Sequence, residues 1–329
     1  MKAYVLHSFG PPENLHLTDI DEPAPGAGEV LVRIRATSIN PYDWHHLRGE
    51  PVVARFMDGG LGRRRPTRPI LGCDVAGEVA AVGTGVTRFR PGDEVYALVK
   101  GGGFAQYTCV PEDQLAPKPR SLSFEQAAAV PMAAVTALVA IRDDAKVRSG
   151  QRVLVNGASG GVGTFALQLA RAAGAEVTAV CSTRNADLVR SLGANHVIDY
   201  TAQDFTRVAR GFDALVDIAG SPSAWAARRV LLPAGVYVVV GGDAGRWFRP
   251  VDHMLAVTAM GKLASQRAVI TATPIGPASG RDLVELTAHF DSGAVTTAVD
   301  RRYSFAELPE AVRYVETGRA RGKVVITVE

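Results

Sequence analysis

The sequence predicts an α/β protein of two domains, one a partly open antiparallel β domain and the other a doubly wound parallel sheet. Three observations predict it. The chain has 329 residues, more than one hydrophobic core usually serves. Its first third carries short β-patterned runs separated by glycine- and proline-rich turns. From Arg152 onward, short apolar runs alternate with helical stretches, as a parallel sheet with crossover helices requires.

Residues 29–38 mix Val, Leu and Ile with Arg at alternate positions, and 75–82 and 94–98 follow as further strands. After Pro119 the pattern changes. Ser123 reads as a helix cap with Glu125 and Gln126 just behind it, and the alanine-rich stretch 127–141 continues as helix. Strands are expected at 153–156, 177–181, 197–198, 214–217 and 236–240, with helices near 163–173, 186–192, 202–210 and 223–232. A strand at 268–273, a helix at 280–292 and a strand at 323–328 follow, the last returning to the first domain. The β domain is therefore expected to hold 1–122 and 294–329, and the parallel-sheet domain 123–293.

Hydrophobic residues make up 47% and charged residues 21%, which fits a globular enzyme and excludes wholesale disorder. Net charge is +3, and basic residues mostly alternate with acidic ones, so no nucleic-acid partner is expected. The one basic run, Arg63-Arg64-Arg65 with Arg68 nearby, reads as a solvated loop or as an anion site at a rim. Met1-Lys2-Ala3-Tyr4-Val5-Leu6 has the pattern of a strand and not of a signal peptide. No run of about 18 apolar residues occurs, so no membrane span is expected and the protein reads as cytoplasmic. Cys73, Cys109 and Cys181 form no paired framework, and three cysteines cannot build a four-cysteine zinc lobe.

Val153-Leu-Val-Asn156 runs directly into Gly157-Ala158-Ser159-Gly160-Gly161-Val162-Gly163, which opens an apolar helix. Glycine is needed where the turn is tight, and where a side chain would hold a diphosphate away from the N–H groups at the helix start. Glycine-rich turns are common, but a strand before and a helix after make this one a dinucleotide site. Which dinucleotide is decided at the end of the second strand. An acid there holds the 2′-hydroxyl of NAD and repels a 2′-phosphate. The chain instead reads Val180-Cys181-Ser182-Thr183-Arg184-Asn185, whose hydroxyls and guanidinium suit a phosphate dianion. Arg184 otherwise merely decorates a helix start. NADPH is the expected cofactor.

Several further motifs occur in order: Pro25-Gly-Ala-Gly-Glu-Val-Leu-Val-Arg33, Ser38-Ile-Asn-Pro-Tyr-Asp43, Gly72-Cys-Asp-Val-Ala-Gly-Glu-Val79, Phe89-Arg-Pro-Gly-Asp-Glu-Val95 and Gly322-Lys-Val-Val325. With these, nearly the whole chain resembles the zinc-independent quinone oxidoreductase branch of the medium-chain dehydrogenase/reductase superfamily. Residues 177–200 look most like the subgroup of the chloroplast envelope quinone oxidoreductases and the reticulon-4-interacting proteins. The resemblance implies a GroES-like catalytic domain made from both chain ends, a central Rossmann domain, and substrate in the cleft beside the nicotinamide. It implies that Ser159, Gly160, Gly161 and Val162 meet the diphosphate and that Ser182, Arg184 and Tyr200 meet the 2′-phosphate. Ala219, Gly220, Gly241 and Gly242 are implied along the ribose and nicotinamide, with Thr136 approaching the nicotinamide. A homodimer through the strand near 268–273 is a further family expectation.

Zinc-dependent relatives carry a cysteine where this chain has Asn40 and a histidine where it has Cys73. An improvised site from Asp43, His45, His46 and Cys73 has the right chemical types, but a catalytic zinc needs three well-placed ligands, and adjacent histidines generally diverge. Without a metal, plain alcohol oxidation lacks its Lewis acid. Hydride addition to the β-carbon of an enone instead moves charge onto the carbonyl oxygen, which needs a hydrogen-bond donor. Asn40 and Tyr42 are the candidate donors, and Asp43 a candidate to orient either one or a water. The alternative is that Asn40-Pro41 shapes a turn that Tyr42 and Asp43 brace. Phe56, Met57, Leu61, Trp247, Phe248 and Met254 are candidates to line an apolar pocket for a small quinone or enone. The competing readings are a zinc-assisted alcohol dehydrogenase and a non-catalytic NADPH-binding sensor or partner protein.

Overall fold

The computed structural model describes residues 1–56, 61–220, 223–242 and 251–329. The chain divides into two compact units, one of 1–135, 274–293 and 299–329, the other of 136–273 and 294–298. In chain order the first unit opens with β1 (Lys2–Leu6), β2 (Leu15–Asp19), β3 (Glu29–Ile39), α1 (Pro41–Arg48), β4 (Asp74–Val82), β5 (Glu94–Leu98), β6 (Tyr107–Pro111), β7 (Leu115–Pro117) and α2 (Phe124–Ala128). The division falls along α3 (Pro131–Leu138). The second unit adds β8 (Arg152–Asn156), α4 (Gly161–Ala172), β9 (Glu176–Cys181), α5 (Ala186–Ser191), β10 (His196–Asp199), α6 (Phe205–Val208), β11 (Phe212–Asp217), α7 (Ala224–Arg228), β12 (Leu231–Val239), α8 (Val251–Leu263) and β13 (Arg267–Ile270). The chain then supplies α9 (Pro277–Asp291), β14 (Val299–Ser304), α10 (Leu308–Glu316) and β15 (Lys323–Thr327) to the first unit.

The first unit is organised around β3. Its alternation sends Val30, Val32 and Ile34 into a core with Val75, Val95 and Leu115, while Arg33 and Arg35 point away. Each such side chain, fully buried, stabilises the fold by about 1.5–3 kcal/mol. The sheet order is β14-β15-β3-β4-β5-β7, with β6 also paired to β3. The C-terminal strand returns as expected: β15 lies antiparallel to β3 with Val324 opposite Ile39. That register sets Lys323 beside the end of β3, where Asn40 begins α1.

The second unit holds six parallel strands in the order β10-β9-β8-β11-β12-β13. The order reverses between β8 and β11, and ligands of open α/β sheets bind outside the strand ends at such a point. Among the described residues no helix is long and apolar enough to cross a membrane.

Three expectations change. The helix expected at 127–141 is broken at Pro131, which lacks an N–H to donate and disfavours helical backbone before it. Asn40-Pro41, read in one alternative as shaping a turn, is instead the cap and first residue of the helix α1. The domain boundaries also shift. Glu125 of α2 accepts hydrogen bonds from Arg302 (2.6 Å) and Thr327 (3.2 Å), which ties α2 to the first unit. Tyr96 of β5 donates to the carbonyl oxygen of Leu283 (2.6 Å), and Gly280 packs so closely on Asp113 that only glycine fits, which ties α9 there too. Both helices were expected on the parallel-sheet domain. Helical periodicity marks an apolar face without saying which sheet it covers.

Candidate active site

The turn after β8 has the geometry its glycines predict. Gly157 has φ +83°, and a Cβ there would lie 3.0 Å from the Cβ of Ala219. A Cβ on Gly163 would penetrate the carbonyl oxygen of Gly157, so α4 can pack on the turn only with glycine at that position. Gly160, the residue that caps α4, differs: a Cβ there meets only that same oxygen, at 3.5 Å. Packing does not demand glycine at 160, and its absence of a side chain keeps the helix start open to an anion. Ser159, Gly160, Gly161 and Val162 all lie on this turn and the first turn of α4. Asn185 holds the hydroxyl of Ser159 (2.8 Å).

Ser182, Arg184 and Tyr200 come from two strands that pairing brings together. Asp199 is opposite Cys181, and the N–H of Tyr200 donates to the carbonyl of Cys181 at 3.1 Å. Tyr200 is 60% exposed, and Arg184 sits in the short turn Thr183–Asn185. An acid does lie beside this group, supplied by the third strand. The Asp199 carboxylate accepts from the Thr183 hydroxyl (2.5 Å), the Thr201 hydroxyl (2.7 Å) and the Thr201 N–H (2.9 Å), and these bonds hold its pKa below the usual carboxylate range.

Four of the remaining cofactor candidates lie around Asp217, which is wholly buried at the end of β11. One carboxylate oxygen accepts from Asn156 (2.8 Å) and the N–H of Gly220 (3.1 Å), the other from the Tyr237 hydroxyl (2.8 Å). These bonds fasten the ends of β8, β11 and β12, where Ala219, Gly220, Gly241 and Gly242 sit. A Cβ on Gly241 would lie 2.7 Å from the carbonyl oxygen of Ile218. Thr136 on α3 shares a hydrogen bond with the hydroxyl of Thr273 (2.7 Å).

The segment from Asn40 is built differently from the expectation. Asn40 is buried, and its N–H donates to Asp43 (2.8 Å), which closes the first turn of α1. Asp43 also accepts from the N–H of Gly72 (3.1 Å), and burial pushes its carboxyl up to about 7. The Asn40 amide donates to Asp74 (2.8 Å) and leans on the Cys73 sulfur (3.4 Å), while its oxygen accepts from the ammonium of Lys323. Lys323 is paired in turn with Asp74 (3.1 Å), and both are buried. Asp74 also receives Ser38 (2.5 Å) and the N–H of Met132 (2.7 Å). Both ends of the Asn40 amide are therefore committed inside the protein. Asn40 braces the site and has no amide hydrogen left to offer a substrate.

Tyr42 remains partly exposed. Its hydroxyl accepts from Arg68, whose same nitrogen lies 2.9 Å from Nε2 of His46. Burial pushes the Tyr42 phenol up, with the charge of Arg68 pulling the other way. Burial takes His46 down to about 4, so the imidazole is neutral at physiological pH. Sequence reasoning missed Asp74 and Lys323 here and carried Arg68 only with the basic run at a rim. The signals available were a lysine opening an apolar strand and an acid preceding one.

Metal-ligand geometry is a poor fit here. Asn40 presents an amide whose oxygen holds a cation already. Burial keeps the Cys73 thiol well above its ordinary pKa and hence protonated, whereas a metal needs the thiolate. His45 and His46 diverge, one onto the carbonyl of Glu50 (3.0 Å) and the other onto that of Tyr42 (2.8 Å). Among the described residues no group of three or more His, Cys, Asp or Glu side chains is placed to hold a metal ion. Of the pocket candidates, Phe56 is exposed, Leu61 is buried and Met254 is half-buried; Met57, Trp247 and Phe248 lie outside the described residues.

Two family models match the chain: the alcohol dehydrogenase GroES-like domain over residues 26–120 and the zinc-binding dehydrogenase over residues 192–326. The mitochondrial NAD(P)H oxidoreductase RTN4IP1 of Mus musculus is 34% identical across the whole chain and 89% of its own length. The 2-methylene-furan-3-one reductase of Solanum lycopersicum is 35% identical over 99% of the chain and 79% of its own length. Among solved structures, the quinone oxidoreductase from Coxiella burnetii superposes with a TM-score of 0.84 at 29% identity, covering 100% of this chain and 99% of its own.

Proposed function

The chain belongs to the quinone oxidoreductase branch of the medium-chain dehydrogenase/reductase superfamily, and from that premise we propose that it is an NADPH-dependent, zinc-independent reductase of activated alkenes or quinones. One observation carries this reading. An intact dinucleotide turn is joined in one chain to a catalytic segment whose would-be metal position is held by Asn40 and the ammonium of Lys323. The family description mentions zinc, but the donors of this chain do not suit it. The names of the relatives support the same chemistry, since one is an NAD(P)H oxidoreductase, another a 2-methylene-furan-3-one reductase and a third a quinone oxidoreductase.

In this reading the N–H groups from Ser159 to Val162 hold the diphosphate, and Ser182, Arg184 and Tyr200 hold the 2′-phosphate. Ala219, Gly220, Gly241, Gly242 and Thr136 take the ribose and nicotinamide. Bound there, NADPH supplies the hydride. As charge moves onto the carbonyl oxygen of an enone, Tyr42 donates to it, while Asn40 and Asp43 fix the start of α1 that carries Tyr42. A quinone yields a hydroquinone anion that is already stabilised, so it needs chiefly positioning. We further place the protein in the cytoplasm as a homodimer paired through β13, which is an edge strand of its sheet.

The test is NADPH oxidation with alkyl enones and ortho-quinones in metal-free buffer, with elemental analysis for zinc. Turnover without zinc, unaffected by chelator, is the expected result. One zinc per chain with activity lost on chelation would make it a metal-assisted dehydrogenase instead. NADPH binding with no turnover of any acceptor would leave a sensor or partner protein.

A further inference from the structure

We propose that Arg68 is the residue that makes Tyr42 a proton donor, through a hydrogen-bond chain in which His46 fixes the guanidinium and the guanidinium orients the phenol. The proposal rests on the reductase reading above.

The direction of every hydrogen bond in the cluster follows from its members. The carbonyl oxygen of Tyr42 can only accept, so His46 must carry its proton on Nδ1, 2.8 Å away. Nε2 of the neutral ring is then an acceptor, and it faces Arg68 at 2.9 Å. A guanidinium has no acceptor and stays charged at any working pH. Arg68 therefore donates to the Tyr42 oxygen, and the phenol does not donate to it. The one proton of Tyr42 is left over, and among the described residues it has no acceptor. Tyr42 is partly exposed while His46 is 9% exposed, so the free proton is on the side a substrate can reach.

The same contact supplies the chemistry. When Tyr42 passes its proton to an enolate carbon or oxygen, the O–H bond of tyrosine breaks, a bond from that hydrogen to the substrate forms, and a phenolate remains. Arg68 then faces that phenolate with a charge-assisted hydrogen bond, stronger than the one it made to the phenol. The phenolate recovers a proton from solvent before the next turnover. Arg68 touches Tyr42 and not the reacting atoms, so its role is positioning.

Its three neighbours in the basic run do none of this. Arg63, Arg64 and Arg65 are exposed, and Arg63 lies over the Phe56 ring at 5.6 Å. The pattern of four arginines therefore splits into three solvated residues and one that faces α1.

Four variants test the assignment, with an alkyl enone and an ortho-quinone as paired substrates. Arg68→Met should lower kcat for the enone by about tenfold or more, as a positioned general acid is worth roughly 10²–10⁴-fold. KM, NADPH affinity and quinone turnover should change by less than about threefold, because the quinone does not depend on the donor. Arg68→Lys should recover part of the loss. Tyr42→Phe should lose at least as much as Arg68→Met, and adding Arg68→Met to it should cost nothing more. Additive losses in the double variant, equal losses with both substrates, or full enone activity in Arg68→Met would overturn the proposal and leave the reductase reading standing. Wild-type protein that reduces neither substrate would sink both together. Arg68→Lys and Tyr42→Phe keep the test decisive if Arg68→Met folds poorly.

Discussion

Cofactor choice is decided by single side chains. If Ser182 and Arg184 meet the 2′-phosphate, replacing both with alanine should raise the Kd for NADPH by at least about tenfold, the loss of one or two charge-assisted hydrogen bonds. NADH affinity should barely move, and fluorescence titration with each cofactor is the measurement. Equal weakening of both would place these residues elsewhere. Asp43 offers a second test at this scale. Its carboxyl is raised to about 7 by burial, so between the ordinary carboxylate pKa and 7 the folded state holds a proton that the unfolded chain has released. Stability then falls as pH rises through that window and is fully present below it. Urea unfolding of wild type and Asp43→Asn across that range should show the variant gaining on wild type as pH rises. A difference independent of pH would refute the buried acid. The Asn40 result shows where reading residue types runs out: an amide is a donor in any sequence, but whether its hydrogens are free depends on Asp74 and Cys73, more than thirty residues away.

Elements carry the fold through close approach, and two glycines make that measurable. Gly163→Ala pushes a methyl into the carbonyl oxygen of Gly157 and should both weaken NADPH binding and cost about 1–3 kcal/mol of stability. Gly280→Ala pushes a methyl into Asp113 of the first unit and should cost a similar amount, on the same principle, while leaving NADPH affinity unchanged. Denaturant unfolding and cofactor titration separate the two cases. If Gly280→Ala weakens NADPH as Gly163→Ala does, α9 acts with the cofactor-binding unit and the boundary drawn by its contacts is misplaced. The parallel strands were legible because buried apolar runs between turns have few other readings. Pro131 was in view too, but the alanine-rich composition around it outweighed the local break.

At the scale of the whole molecule, the last strand closes the segment that begins at Asn40. Lys323 and Asp74 form a buried pair 249 residues apart in sequence. Lys323→Met leaves the Asp74 carboxylate buried without its cation, and breaking such a pair costs about 3–5 kcal/mol. Urea unfolding should show that loss, and Asp74→Asn added to Lys323→Met should restore part of it. A neutral Lys323→Met would mean the ammonium does not hold the site. The sequence by itself determined the two-domain α/β architecture, the dinucleotide turn and the Asn and Cys that stand at positions 40 and 73. Each of these is written in neighbouring residues: a period, a glycine spacing, a residue type at one position. Only the tertiary structure decided that Lys323 sits on Asn40, that Arg68 faces Tyr42, that Asp199 holds Thr183, and that α9 packs with the first unit. Those contacts join residues distant in the chain, and strand register and sheet order, which local pattern does not encode, select their partners.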